Sequence, residues 1–276
     1  MALGAQLAWG LFPLYWKQIE QVPATQVIAH RILWSFATLV AIALWRGHGL
    51  REITPRAGKL YAVAAVLISV NWFAYVWAVS NHLIVETSLG YFINPLMTVL
   101  IGVVMFGETL RPAQWLAVAC ASAGVTYLTV AHGAVPWIAL ALAGTFSIYS
   151  AVKKLAPLGS LDGLTVETAW VTLPALVFLV YSEFGGDGAF YHAGFESSLY
   201  LAGAGLVTTL PLALFAASVR NVALTTIGIL QYISPMLQLA LGVLLYHEPF
   251  AREQWIGFSG VWVGLIIFAV DGFRNR

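Results

Sequence analysis

Few residues in this sequence can do chemistry, and most of them sit in apolar surroundings. Arg31 lies in residues 27–36, VIAHRILWSF, beside His30 and with no acid close by in the sequence. Glu86 and Glu167 are the carboxylates placed well inside long apolar runs. A guanidinium and two carboxylates in such settings can bind an oppositely charged group, pair with one another or, for a carboxylate, carry a proton. Hydrolytic and nucleotide chemistry has no footing: there is no HExxH pair, no GxSxG elbow and no GxxxxGK[ST] loop. An enzyme and an ATP-driven pump are therefore not expected, nor is any cofactor or metal. Cys120 is the single cysteine, so no internal disulfide can form.

Composition says what surrounds these groups. Of 276 residues 60% are hydrophobic and 9% charged, against roughly 25% charged in ordinary soluble domains. Thirteen basic and twelve acidic side chains cannot cover a water-facing surface of this size, so the lipid bilayer is the expected solvent. The runs are too long and unbroken for the alternating strands of a membrane barrel and suit helices of about 20 residues. The fold class expected is an all-α membrane protein with ten transmembrane helices, roughly residues 2–19, 24–45, 59–80, 83–106 and 112–130, then 134–152, 163–184, 197–217, 225–246 and 254–270. The first run lacks a basic leader and a cleavage pattern, and is expected to be a retained helix.

Lysine and arginine give the orientation. With ten crossings one side receives Arg46, Arg51, Arg56, Lys59, Arg111, Lys153, Lys154, Arg220, Arg274 and Arg276, and the other receives Lys17 and Arg252. The basic side is expected to be cytoplasmic, with both termini on it. The most polar connection, around Glu183, Asp187, His192 and Glu196, falls on the opposite side and contains no Lys or Arg.

The two halves repeat. GYFINPLMTVLIGVVMFGETLRPAQWLAVACASAG from Gly90 aligns without gaps with LQYISPMLQLALGVLLYHEPFAREQWIGFSGVWVG from Leu230, at an offset of 140 that carries Pro95 onto Pro235. Ile93 falls on Ile233, Glu108 on Glu248, Gln114-Trp115 on Gln254-Trp255 and Gly124 on Gly264. A fainter echo relates Gly10, Phe12 and Tyr15 to Gly144, Phe146 and Tyr149. The domain reading is a first five-helix repeat over 1–130 and a second over 134–276, together forming one transmembrane domain. Five is odd, so the second copy enters the membrane inverted. Inverted-topology repeats are a building plan of secondary transporters, in which a central cavity between the repeats gives alternating access.

Within that plan the polar residues become candidate substrate contacts. Arg31 sits several residues inside the second crossing, where an unpaired arginine costs about 2.5–3.5 kcal/mol on insertion scales. It is expected to face a hydrated cavity and either pair with Glu86 or meet an anionic substrate group; an outward-snorkelling or fixed structural arginine is the alternative. His30, about 100° around the helix, is expected to be packed and hydrogen-bonded. Helical spacing puts Asn71, Tyr75 and His82 on one strip, and Gln231, Ser234 and Gln238 on another. Interhelical hydrogen bonding is the competing reading for both strips. Trp72, Tyr91, Asn94, Tyr149, Glu167, Trp170 and Tyr232 complete the candidate substrate-binding set, with Glu86 as the candidate coupling group and Pro95 and Pro235 as candidate hinges. Glu108 and Glu248 read as caps at helix ends. The pattern Cys120-x-x-x-Gly124, matched by Gly260-x-x-x-Gly264, reads as a close helix contact within the scaffold or at a dimer face.

At these same residues the chain resembles a known family. YWK at Tyr15, AHRILWS around Arg31, NWFAYVWAVSNHLIVETSLGYFINPL from Asn71, VETAW around Glu167, LVTTLPLALFAAS from Leu206 and LQYISPM from Leu230 are similar to the RarD-type, so-called chloramphenicol-sensitive, branch of the EamA family. That family belongs to the drug/metabolite transporter superfamily. The resemblance covers essentially the whole chain. It implies a bacterial inner-membrane carrier of small organic metabolites, amino acids and drug-like amphipathic compounds among them, in which Arg31, Glu86 and Glu167 are motif members. The expected partners are a small-molecule substrate and the lipid bilayer, with no nucleic acid, for a monomer or a homodimer. A membrane ligand sensor or interaction subunit that does not transport is the alternative from another class.

Overall fold

A computed structural model describes residues 1–47, 54–80, 84–132, 136–247 and 252–274, with the side chains at 76, 79–80, 84–88, 132 and 254 outside the description. Every regular element in these residues is helical. The α-helices are α1 (Ala2–Gly10), α2 (Phe12–Trp16), α3 (Ala24–Trp45), α4 (Pro55–Ser80), α5 (Ile84–Phe106), α6 (Pro112–His132), α7 (Trp137–Leu155), α8 (Ser160–Phe184), α9 (Phe195–Asn221), α10 (Leu224–Gln231), α11 (Ile233–Ala240) and α12 (Arg252–Arg274). Among the described residues, nine segments are long and apolar enough to cross a bilayer. The first run completes the ten, but as a broken rod. It consists of α1, α2 and a 3-10 turn over Lys17–Ile19, interrupted at Leu11. Pro13 has no N–H for the carbonyl of Trp9, and Gly10 is a poor helix former, so the uniform helix expected over 2–19 does not form.

Several helices begin where a side chain supplies the missing partner of an end group. Thr54 Oγ1 accepts the N–H of Ala57 (3.3 Å) in front of Pro55, a favoured first helical residue. Gln114 Oε1 reaches back to the N–H of Arg111 (2.9 Å), the reciprocal half of a capping box. This gives the Gln of the repeated Gln-Trp pair a local role. Glu108 works across elements: its two carboxylate oxygens accept the N–H groups of Leu224 (2.7 Å) and Thr225 (2.8 Å) at the start of α10. The cap expected at Glu108 is thus found, holding the N-terminus of a helix from the other half of the chain, where the helix dipole favours a negative charge. Glu248 lies outside the described residues.

The chain forms two compact units, Met1–Trp72 with Val152–Arg220 and Phe73–Ala151 with Asn221–Arg276. Each takes helices from both sequence halves, and the boundaries cut through α4 and α7. In the first unit α3 packs along α8. Gly205 on α9 lies so close to α3 that an added Cβ would come within 2.3 Å of the main chain of Trp34, and Ser35 Oγ donates to the carbonyl of Gly205 (3.2 Å). At the start of α3 the Gln26 carboxamide donates to the carbonyl of Asp187 and accepts from the N–H of Ala189.

In the second unit α12 packs along α6 and α10 along α5, each pairing a helix with its counterpart from the other repeat. The first seam is reciprocal. A Cβ on Gly124 would meet the carbonyl oxygen of Gly257 at 2.3 Å, one on Gly264 that of Ala117 at 2.6 Å, and one on Gly260 that of Cys120 at 3.0 Å. Position 124 therefore touches 257 as position 264 touches 117, and 120 faces its own counterpart 260. As α6 rises the contacts descend α12, so the two equivalent helices are antiparallel, as inverted repeats require. The small-residue pattern is spent on this internal crossing. Replacing Gly124 or Gly264 by Leu forces the backbones apart and is expected to destabilise by at least the roughly 1–3 kcal/mol of ordinary overpacking. It should lower the melting temperature of the detergent-solubilised protein, whereas Gly272→Ala, which meets nothing within 4 Å, should not.

Candidate functional site

Arg31 lies inside a crossing of the first unit, on α3. Its side chain is half-buried, and Nε donates to Thr208 Oγ1 on α9 (3.1 Å). The guanidinium carbon lies 4.9 Å from the ring centroid of Trp16 and 4.7 Å from that of Trp72. Two aromatic faces at about 0.5–2 kcal/mol each and a hydrogen bond to a charged donor at about 1.5–3 kcal/mol together match the insertion penalty of an arginine. Within its span the guanidinium thus lies against two indole rings and a threonine hydroxyl. Trp72 was expected at the site. Trp16 and Thr208 were not, although the Thr208-Thr209 pair in an otherwise apolar helix was a visible signal. The side chain of Glu86, and all of His82, lie outside the described residues.

His30 is 5% exposed and stacks on Phe190 with ring centroids 5.3 Å apart. It is packed as expected, but its Nδ1 has no hydrogen-bond partner, which differs from the bonded histidine foreseen from sequence. Steric fit to Phe190, next to the loop that Gln26 secures, has taken precedence over a polar contact.

Glu167 has a different neighbour from any foreseen in the sequence. Lys153 Nζ donates to its Oε2 at 2.7 Å, with the two side chains 3% and 4% exposed. The ammonium also lies 5.4 Å from the ring centroid of Tyr61, whose hydroxyl accepts the N–H of Leu158 (3.0 Å). Arg220 donates to the carbonyls of Leu158 and Pro157. Lys153, read from sequence as a loop charge, is a buried residue in the last turn of α7. The cluster ties the α7–α8 connection to α4 and α9, and leaves Glu167 no open face.

The second unit holds a separate polar group. Asn94 on α5, Ser147 on α7 and Thr98 form a hydrogen-bond chain: Ser147 Oγ lies 3.0 Å from Asn94 Oδ1 and 3.1 Å from Thr98 Oγ1, with Ser147 and Thr98 fully buried. Here polar side chains join α5 to α7, the use membrane helices commonly make of Asn, Ser and Thr. Tyr75 and Tyr91 meet edge to face at 6.2 Å and are 39% and 42% exposed. Tyr149 is fully buried with its ring against Phe146, and Asn71 is half-buried. Trp170 stands apart: with Leu173, Val177, Tyr181 and Phe184 it forms one exposed apolar stripe along α8, the kind of surface a bilayer covers.

The two equivalent prolines act differently. α5 runs without interruption through Pro95, whereas the partner segment breaks at Tyr232, between α10 and α11, just before Pro235. Gln231, Tyr232 and Ser234 at this break are all buried.

A chain whose helices cross a bilayer ten times, with equivalent helices antiparallel and a guanidinium framed inside one span, has the build of a multi-pass membrane transporter. The EamA-like transporter family matches residues 1–130 and again 135–270, and the chain belongs to that family. It is 44% identical to the protein RarD of Streptomyces exfoliatus over 99% of this chain and 88% of that one. It is 42% identical to the uncharacterized transporter YojE of Bacillus subtilis, covering 95% and 90% of the two chains, and 38% identical to the protein RarD of Escherichia coli, covering 100% and 95%. A solved structure described as the crystal structure of a protein shares the fold, with a TM-score of 0.73 at 20% identity over 100% of this chain and 97% of the other.

The buried pair gives a direct test. Glu167→Gln leaves the Lys153 ammonium buried without its counter-charge, at a cost of about 3–5 kcal/mol, while replacing both partners by apolar residues of similar size is often neutral. The single variant should lose melting temperature and yield, and Lys153→Met with Glu167→Leu should recover most of both.

Proposed function

We propose that this transporter is a secondary-active carrier of small organic metabolites, amino-acid-like or amphipathic, and that Arg31 is its anion-recognising group. The observation that carries the reading is the guanidinium inside a crossing, framed by Trp16 and Trp72 and steered by Thr208. A substrate carboxylate arriving at the guanidinium would gain a charge-assisted contact, and the indole faces would suit an apolar body beside it. Carriers built from inverted repeats work by alternating access, and that is the cycle proposed here, with Glu86 as the coupling proton carrier. The positive-inside asymmetry supports placement in the bacterial inner membrane with both termini cytoplasmic.

A thermal-shift screen of amino acids and related metabolites against the purified protein, followed by counterflow of the hits in proteoliposomes, tests the function. Saturable flux is expected, and Arg31→Ala should lower it at least about tenfold, the factor equivalent to about 1.4 kcal/mol, in protein that still folds. Undiminished flux in Arg31→Ala would remove the site assignment. Binding without flux of any hit would favour a ligand sensor. For coupling, an inward proton gradient should drive uptake or exchange in the wild type and fail to do so in Glu86→Gln.

A further inference from the structure

We infer that Gln231 is a recognition group for a neutral amide-like edge on the transported solute, a carboxamide, lactam or imide that presents an N–H donor beside a carbonyl acceptor; this rests on the carrier reading above. Gln231 is 4% exposed, and neither its carboxamide oxygen nor its nitrogen has a hydrogen-bond partner. Folded proteins seldom leave a buried carboxamide in that condition, because both of its polar atoms have been taken from water without replacement.

Its position on the backbone points the same way. Gln231 is the last residue of α10, the N–H of Tyr232 turns back to the carbonyl of Ile229 (3.2 Å), and Pro235 has no N–H to offer the carbonyl of Gln231. A π-helical turn follows over Leu241–Leu245, closed by the Tyr246 N–H on the carbonyl of Leu241 (3.0 Å). Discontinuous membrane helices and π-helical turns are where carriers and enzymes place functional groups. The repeat supplies an internal control. The counterpart of Gln231 is Tyr91, which is 42% exposed on an unbroken helix. A purely structural role in the α5–α10 seam would be expected to put a similar residue at both positions, and the chain does not.

The surroundings select the ligand. α10 and α11 carry no charged residue, and α5 carries only Glu86. The neighbouring Tyr232 packs in an apolar cluster with Phe92, Ile93 and Phe258. A carboxylate or ammonium placed there would lose its hydration with no counter-charge supplied by these helices, and a hydrocarbon would leave the carboxamide as it is. A planar group with adjacent N–H and C=O meets both atoms of Gln231 at once.

The test uses the full-length purified protein and three matched probes: benzamide, methyl benzoate and sodium benzoate. Binding is read by intrinsic tryptophan fluorescence and by thermal shift. Wild type should prefer benzamide to both other probes by about tenfold, the factor carried by one or two hydrogen bonds. Gln231→Leu should bring the three within about twofold while leaving the ligand-free melting temperature unchanged or higher, since it removes an unsatisfied group. Equal binding of the three probes by wild type, or a preference that survives Gln231→Leu, overturns the proposal. So does a lower ligand-free melting temperature in Gln231→Leu, which would mean that ordered water or the protein itself already satisfies the carboxamide. Amide preference without flux of any metabolite would remove the carrier reading and keep this one; flux without amide preference would do the reverse.

Discussion

Hydrocarbon offers no hydrogen bonds, so every polar group this chain carries into the bilayer must find its partner within the chain. The rule explains why the described elements are helices, and it explains most of the polar contacts between them. Glu108 covers two N–H groups at the start of α10 that would otherwise be exposed. Ser147 joins Asn94 to Thr98, and Thr129, Ser150, Thr168, Thr172 and Ser218 turn their hydroxyls back onto carbonyls four residues earlier in their own helices. Against this background a buried polar group with no partner stands out, and Gln231 carries two such atoms.

The second constraint is the approach of helix to helix. Lipid tails are as apolar as leucine, so burying apolar side chains does not hold membrane helices together; close van der Waals packing does. That places glycine and alanine on the seam between α6 and α12, where main chain meets main chain. The contacts obey the symmetry of the repeat, and Cys120 faces Gly260 near its local axis. Glu108 adds a polar lock on the neighbouring α5–α10 pair, where Gly102 gives room: a Cβ there would lie 2.7 Å from the Glu108 carboxylate and 3.0 Å from the N–H nitrogen of Thr225.

The charges inside the spans divide by environment. Lys153 and Glu167 neutralise one another out of reach of solvent, an arrangement that fixes structure and resists change. Arg31 is half-buried against two indoles, with its Nε on the Thr208 hydroxyl. The two cations thus differ in their neighbours, a distinction set by what folds against each and not by the residues themselves.

What could be read from the sequence was whatever depends on solvent and period. Apolar runs of bilayer length, the sidedness of Lys and Arg, and an ungapped repeat indicated ten crossings in two inverted copies, because a transmembrane helix satisfies its main chain locally and needs no distant partner to be recognised. The cap at Glu108 and the close packing at Gly124 and Gly264 were legible for the same reason, as local motifs repeated in register. Partner choice was not legible. That Lys153 lies within reach of Glu167, that Trp16 and Thr208 frame Arg31, that Trp170 belongs to an exposed stripe, and that of two matched prolines only Pro235 follows a break, all depend on the packing of helices distant in the chain. Spacing along one helix fixes the direction of a side chain about its own axis, but only the assembled bundle decides what stands opposite.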